Sequence, residues 1–382
     1  MRVLISCGGT GGHINPGLAS ADIIKSKYPD AEFLFAGTPK GMEAKLVPQA
    51  GYRMEAIKVA GFQRKISLEN VGRNIKAVAY LATSGKRAKE IIKNFNPDIA
   101  IGTGGYAAGP VIRMAARMGI PTAIHEQNAY PGVTNKLLSK EVDYVMLTVK
   151  EALDFMDKSR FEYSVTGLPV RSSINHVSKS EARRKLGFNN DFTILSFGGS
   201  LGAGCINDTM IEAIKWHSSK KLNINHIHGY GGMGKDTFPQ AMKSAGIPLK
   251  SNRLRISEYI NDMDICLAAA DLVICRSGAS TLAELEAAGK ASILIPSPIV
   301  AGNHQYHNAM VLGKAGAAEV IEQKDVTPEK IISEIEKLYR NLDKVSVMSQ
   351  SALGLHLNDT NERILAVIDK LIAKSGKVTQ SK

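Results

Sequence analysis

The chain has 382 residues, 44% of them hydrophobic and 22% charged, and a formal net charge of +12. These proportions suit a packed globular protein, exclude a disordered chain, and at this length allow about two domains. No apolar run approaches the ~18 residues needed to span a bilayer, and the opening run from Met1 to Cys7 is too short for a signal peptide, so a cytoplasmic protein is expected.

In chain order, short apolar runs alternate with glycine-rich turns and amphipathic stretches. Arg2–Cys7 predicts a strand, Gly8–Gly12 a loop, Pro16–Lys27 a helix and Glu32–Ala36 a second strand. Asp98–Ile101 predicts another strand, followed by Gly102-Thr103-Gly104-Gly105, and then come Thr122–His125 and Tyr144–Leu147. The second half restarts the pattern, with a strand at Phe192–Phe197, a loop at Gly198–Ala203 and a helix at Ile206–Trp216; Leu272–Cys275 and Ser292–Pro296 are later strands. This alternation implies parallel sheets with crossover helices. Two such openings predict two similar doubly wound domains, with a boundary near Val165–Val170 and a frayed polar tail at Lys374–Lys382.

Four cysteines, Cys7, Cys205, Cys266 and Cys275, form no CxxC pair, which argues for reduced, mostly buried thiols over a zinc ribbon or disulfide framework. The positive charge points to anionic partners. Half of it sits between Arg64 and Lys93, where eight basic residues face two acidic ones, interleaved with Ile66, Leu68, Val71, Ile75, Val78, Tyr80 and Leu81. With 6% aromatic residues and no nucleic-acid module, no nucleic-acid partner is expected. The segment reads either as an anionic-membrane contact or as an ordinary helix packed on a sheet.

A glycine loop between a strand and a helix offers backbone N–H groups to a phosphate. Three occur, at Gly8–Gly12, Gly102–Gly105 and Gly198–Gly202, and together they suggest a ligand cleft. A dinucleotide site fits poorly: a G-x-G-x-x-G from Gly9 would need glycine where Ile14 stands, and Phe35-Ala36-Gly37 lacks the acidic residue for a ribose. No Gly-Lys-Ser/Thr follows any loop, so a P-loop is absent. His13 closes the first loop and is either structural or exposed to ligand. The segment His125-Glu126-Gln127-Asn128 is either a plain loop or four polar side chains reaching a cleft. Thr281 and Glu284 have capping-box spacing, but Glu284 could equally accept two ribose hydroxyls. His304 and His307 lack a third metal ligand, and His226-Ile227-His228, at a strand end, reads as structural.

The run Gly8-Gly9-Thr10-Gly11-Gly12-His13 with Pro16-Gly17 resembles the MurG family of glycosyltransferases, which add N-acetylglucosamine (GlcNAc) to lipid I in peptidoglycan synthesis. The likeness continues through Gly104-Gly105-Tyr106 to Pro110, His125-Glu126-Gln127-Asn128, Gly198-Gly199-Ser200, Arg276-Ser277-Gly278-Ala279 with Glu284, and His304-Gln305. The chain departs from the pattern at Leu168, before Pro169, and at Leu201. The resemblance implies an α/β GT-B fold of two doubly wound Rossmann-like domains facing a cleft. Residues 1–165 would bind acceptor and membrane, and 166–356 would bind UDP-GlcNAc. A helix over about 357–382 would pack back onto the first domain.

Carried over residue by residue, the resemblance implies a donor site of Thr10, Gly11, Gly12, Asn128, Arg171, Ser200, Ile260, Ala279, Ser280, Thr281, Leu282, Ala283, Glu284, His304 and Gln305. In it Ser200 and Arg171 lie at the diphosphate, the Ile260 backbone reads the uracil, Glu284 accepts the ribose hydroxyls, and Gln305 with His304 holds the sugar. Gly104, Gly105 and Tyr106 would contact the acceptor. The implied reaction inverts the anomeric carbon, with His13 as first candidate base and Glu126 as second. No cofactor and no tightly bound metal are expected, since the loop at Gly198–Ala203, its helix N-terminus and Arg171 would stabilise the leaving diphosphate. The implied partners are UDP-GlcNAc, lipid I and an anionic membrane surface contacted by Arg64–Lys93, which places the protein peripherally on the cytoplasmic face of the membrane. A diacylglycerol glycosyltransferase and a UDP-GlcNAc epimerase are the alternatives.

Overall fold

The computed structural model describes residues 1–59, 83–171, 173–174, 176–199 and 201–376. Two compact units emerge: Met1–Pro169 with Asp359–Lys382, and Val170–Asn358.

The first unit holds seven parallel strands: β1 (Arg2–Ser6), β2 (Glu32–Gly37), β3 (Arg53–Ala56), β4 (Ile99–Gly102), β5 (Thr122–Glu126), β6 (Tyr144–Leu147) and β7 (Glu162–Val165). Their order is β3-β2-β1-β4-β5-β6-β7. The second unit holds β8 (Phe192–Phe197), β9 (Ile224–Gly229), β10 (Leu254–Ser257), β11 (Leu272–Cys275), β12 (Ala291–Leu294) and β13 (Ala318–Val320), ordered β10-β9-β8-β11-β12-β13. The central strands are apolar on both faces because helices cover both. Val3, Leu4 and Ile5 are fully buried, and so are Ile99, Ala100 and Ile101.

Three differences from the sequence reading have physical causes. The first helix spans Gly11–Lys27 and so starts inside the predicted loop. Pro16 removes one helical N–H, but the turn ahead of it closes because Thr10 O accepts from both His13 N (3.0 Å) and Ile14 N (3.1 Å). Four further strands, β3, β7, β10 and β13, are the sheet edges; half-exposed edges need no continuous apolar run and so give little signal. The capping box does not form: the helix Ala279–Ala287 begins after Gly278, which makes Thr281 its third residue, and no side chain caps it. Cys7, Cys266 and Cys275 are buried, and burial pushes the thiols of Cys7 and Cys266 up to about 12.

The helix Thr360–Lys374 belongs to the first unit although it ends the described chain. Ile364, Val367, Ile368, Leu371 and Ile372 fall on one face at helical spacing and are buried with Ile14, Ile24 and Met146. Lys27 pairs with Asp369 (2.7 Å) and Lys374 with Asp143 (2.5 Å) across the same contact. Each of the five apolar side chains contributes about 1.5–3 kcal/mol on burial, an upper bound since unfolded chains are partly collapsed. A chain ending at Asn358 is therefore expected to lose the melting transition of the first unit while the second keeps its own. Calorimetry showing both transitions unchanged would contradict this packing account.

Candidate functional site

Each sheet reverses its strand order beside a central strand, between β1 and β4 and between β8 and β11. Ligands of open parallel sheets collect at the carboxyl ends of such strands. All three glycine loops lie there.

In the first unit, the loops after β1 and β4 are pressed backbone to backbone. A Cβ on Gly105 (φ +83°) would lie 2.1 Å from Gly8 O, and one on Gly104 (φ +101°) would lie 2.7 Å from the His13 ring. Thr103 Oγ1 donates to His13 O (2.7 Å), which fixes the His13 backbone. His13 Nδ1 lies 3.2 Å from Gly8 O. A carbonyl only accepts, so in the neutral ring Nδ1 carries the proton and the basic lone pair is on Nε2. Tyr106 follows, with its side chain 60% exposed.

The first glycine loop differs from the phosphate cradle expected of it. Its Gly9 N–H donates to Glu43 Oε2 (3.1 Å). The fully buried Glu43 carboxylate also accepts from Thr38 N (2.8 Å) and Thr38 Oγ1 (2.6 Å) through Oε1. Burial raises this carboxyl's pKa, but the hydrogen bonds from Thr38 and Gly9 outweigh it and hold the pKa below the ordinary value. A fixed negative charge thus stands where a phosphate would. Only residues from Thr10 onward, at the start of the helix, still offer N–H groups without an intrahelical partner. The sequence reading missed Glu43, which sits in a stretch with no recognised motif.

The segment from His125 to Asn128 also departs from expectation. His125, Glu126 and Gln127 are buried, and only Asn128 is partly exposed. Glu126 Oε1 accepts from Asn128 N (2.9 Å) and Asn128 Nδ2 (3.1 Å), while Oε2 accepts from Gly132 N (3.0 Å) and Asn135 Nδ2 (2.8 Å). A 1%-exposed carboxylate with four donors holds its loop in shape and is not placed to take a substrate proton, so Glu126 is withdrawn as a base. His125 Nε2–H donates to Gly167 O (3.0 Å), and burial lowers its pKa to about 4.

In the second unit, the loop between Gly198 and Ala203 leads into the helix Gly204–Ser219, which has no acidic residue in its first turn. Gly199 and Gly202 have φ of +91° and +84°. A Cβ on Gly202 would lie 2.2 Å from Tyr230 O, and one on Gly231 would lie 2.2 Å from Gly202 N. Here a helix N-terminus stands open to an anion with no carboxylate in that turn. Ser200 lies outside the described residues.

Around this loop the expected donor residues divide. Ala279, Ser280, Thr281 and Glu284 are partly exposed on one side of their helix, whereas Leu282 and Ala283 are each 4% exposed and their side chains belong to the core. Glu284 Oε1 accepts from Arg171 Nε (2.8 Å), so the ribose and diphosphate candidates are partners of each other. That hydrogen bond raises the Arg171 pKa. The Ile260 side chain is buried against Gly229, which leaves only its backbone for a ligand. Gln305 Oε1 accepts from Ser297 N (2.9 Å), so its NH₂ is the group left to donate. His304 Nδ1–H donates to Ala301 O (2.9 Å). Among the described residues no group of three or more His, Cys, Asp or Glu could hold a metal ion.

Replacing Glu43 tests the first-loop account. In Glu43→Gln one oxygen becomes an NH₂ that faces a donor, and leaving that donor unpaired costs about 1–3 kcal/mol. Thermal melting is expected to show this loss, and an unchanged melting temperature would remove Glu43 as the anchor of the loop.

Residues 3–147 match the glycosyltransferase family 28 N-terminal domain and residues 193–364 the C-terminal domain. A UDP-N-acetylglucosamine--N-acetylmuramyl-(pentapeptide) pyrophosphoryl-undecaprenol N-acetylglucosamine transferase of Acetivibrio thermocellus is 46% identical over 374 residues, covering 97% of this chain and 98% of its own. The enzyme of the same name from Desulforamulus reducens is 43% identical over 378 residues, 98% of this chain and all of its own. The crystal structure of Acinetobacter baumannii MurG superposes with a TM-score of 0.76 at 28% identity, covering 97% of this chain and 99% of that one. With both halves matched in order and two Rossmann-like parallel sheets, the chain is a GT-B protein that belongs to the MurG family within glycosyltransferase family 28.

Proposed function

We propose that this enzyme moves GlcNAc from UDP-GlcNAc to the 4-hydroxyl of the N-acetylmuramyl unit of lipid I, forming lipid II in peptidoglycan synthesis. The end-to-end match at 46% identity with a transferase of that name carries the reading and favours it over the diacylglycerol transferase and epimerase alternatives.

The donor belongs to the second unit. The loop at Gly198–Ala203 and the helix that follows hold the diphosphate, with Arg171 beside it. One Arg171 N–H is spent on Glu284, which leaves the rest of a five-donor guanidinium for phosphate oxygens. Glu284 keeps its second oxygen for the ribose, the Ile260 backbone reads the uracil, and His304 with the Gln305 NH₂ serves the sugar hydroxyls. The family likeness also assigns donor contacts to Thr10, Gly11, Gly12 and Asn128. Gly104, Gly105 and Tyr106 serve the acceptor.

In a single displacement the acceptor oxygen forms a bond to the anomeric carbon as the bond to the diphosphate breaks. His13 Nε2 takes the hydroxyl proton, and UDP leaves with the bonding electrons. His13 suits the task because Gly8 O has already placed its own proton on Nδ1. Charge on the departing diphosphate is balanced by the helix N-terminus and Arg171. Purified protein with radiolabelled UDP-GlcNAc, a lipid I analogue and EDTA is expected to label the lipid. His13→Ala is expected to lower kcat by about 10²–10⁴-fold, the usual range for a general base. Binding of UDP-GlcNAc with no transfer would overturn the acceptor, and normal turnover in His13→Ala would overturn the base.

The lipid acceptor requires work at a membrane surface. Much of Arg64–Lys93 lies outside the described residues, but residues 83–95 form a helix that buries Ala88, Ile91, Ile92 and Phe95. Lys86, Lys89 and Lys93 lie exposed at helical spacing, while Arg87 pairs with Glu55 (2.6 Å). Among the described residues no helix is long and apolar enough to cross a membrane. We therefore assign a peripheral contact on the cytoplasmic face to this exposed row. Each cation is worth about 1 kcal/mol at an anionic surface. Charge reversal at Lys86, Lys89 and Lys93 together is expected to abolish binding to phosphatidylglycerol vesicles, and unchanged sedimentation would sink the contact.

A further inference from the structure

Five side chains of the second unit form one continuous buried hydrogen-bond chain that the transfer reaction does not use. Strand periodicity puts His226 and His228 on the same face of β9, and register sets Ser196 of β8 opposite His228. The helix Gly204–Ser219 supplies Asn207 near one end and His217 near the other. His217 Nε2 lies 3.2 Å from His226 Nδ1, and His226 Nε2 lies 2.9 Å from Ser196 Oγ. Ser196 Oγ is 2.8 Å from His228 Nδ1, His228 Nε2 is 3.3 Å from Asn207 Oδ1, and Asn207 Nδ2 is 2.9 Å from Tyr230 O. None of the five residues is more than 4% exposed.

One carbonyl fixes every proton. Tyr230 O only accepts, so Asn207 presents its NH₂ there and its Oδ1 to His228. His228 then donates from Nε2, and its bare Nδ1 takes the Ser196 hydroxyl proton. Ser196 Oγ in turn accepts from His226 Nε2–H, and His226 Nδ1 accepts from His217 Nε2–H. Burial keeps the rings neutral, lowering the pKa of His217 to about 4 and of His228 to about 3, with His226 well below its ordinary value.

The chain ends at the glycine loops. Asn207 stands in the first turn after the Gly198–Ala203 loop, and it clamps Tyr230 O, against which Gly202 is pressed. A Cβ on Gly234 would lie 2.5 Å from Asn207 Nδ2, so the amide is wedged between the two loops. Met233 N–H adds a bond to Leu201 O (2.9 Å).

We propose that His217, His226, Ser196, His228 and Asn207 are a positioning chain for the donor diphosphate, which orients the Asn207 amide and thereby holds the phosphate loop against the loop at Tyr230–Gly234. The proposal rests on the donor assignment above. None of the five residues touches substrate in this account; they act through the loop.

Ser196→Ala cuts the chain at its middle without altering either loop. Its KM for UDP-GlcNAc is expected to rise about tenfold, as for one lost polar contact, with the KM for the lipid acceptor unchanged. Ser196→Thr keeps the hydroxyl and is expected to restore the donor KM. Circular dichroism and melting curves establish that the variants are folded. Nitrogen-15 spectra of histidine-labelled wild-type protein at neutral pH provide a reading independent of any variant, and His217, His226 and His228 are all expected as the Nε2–H form. An Nδ1–H or doubly protonated ring at His228 overturns the chain, as does a folded Ser196→Ala with an unchanged donor KM. Equal losses toward donor and acceptor would reduce the chain to general stability and overturn its positioning role. Wild-type protein that fails to bind UDP-GlcNAc in calorimetry would instead overturn the donor assignment itself.

Discussion

Backbone pressed on backbone is the constraint from which both functional regions follow. In the first unit Gly105 leaves no room for a side chain beside Gly8 O, and in the second Gly202 and Gly231 leave none beside Tyr230 O and Gly202 N. Each contact brings together a loop from a central strand and a loop from its neighbour, at or beside the point where strand order reverses. Glycine is required twice over, for the close approach and for the positive φ. A loop held in this way has its N–H and C=O directions set before any ligand arrives, which is the condition for electrostatic preorganisation.

The two units share the device but differ in charge. Glu43 places a buried carboxylate on Gly9 N–H in the first, whereas the helix after Gly202 in the second has no acid in its first turn. The same Gly-Gly turn is therefore unfavourable to an anion at Gly9 in one unit and open to one in the other. This asymmetry supports the proposal that the nucleotide diphosphate is held by the second unit and that the histidine base stands in the first. Arg171 and Glu284 extend the logic. As a pair they hold each other in place with side chains 51% and 19% exposed, and each keeps unused hydrogen-bonding capacity.

Much of this was legible in the sequence, and the rest failed for identifiable reasons. Central strands announced themselves because burial on both faces demands unbroken apolar runs; β6, β8 and β11 fall on the predicted residues. β9 escaped full recognition because its buried face carries histidines, and an interior polar chain imitates the composition of a loop. Glycine loops and His13 were visible because close approach admits few residue types. Glu43 was invisible because its role depends on Thr38 and Gly9 meeting it in space. The burial of Glu126 was equally hidden, since a carboxylate that organises a loop and one that takes a proton look alike in sequence. Leu282 and Ala283 were placed at the donor by motif alone, and helical periodicity, which turns them to the core, should have separated them from Ser280, Thr281 and Glu284.

Carbonyl groups decide the proton positions throughout, and this ties the two units together chemically. Gly8 O puts the His13 proton on Nδ1, and Ala301 O does the same for His304, leaving Nε2 as the acceptor on each ring. Gly167 O takes Nε2–H of His125, and Tyr230 O, acting through Asn207, sets the order from His228 to His217. A main-chain oxygen cannot titrate or rotate independently of the fold, so it is a more constant reference than a carboxylate or a hydroxyl. The imidazoles assigned to chemistry or sugar contact thus have their basic nitrogen chosen by the backbone, while His125, His226 and His228 in the interior point both nitrogens at protein partners.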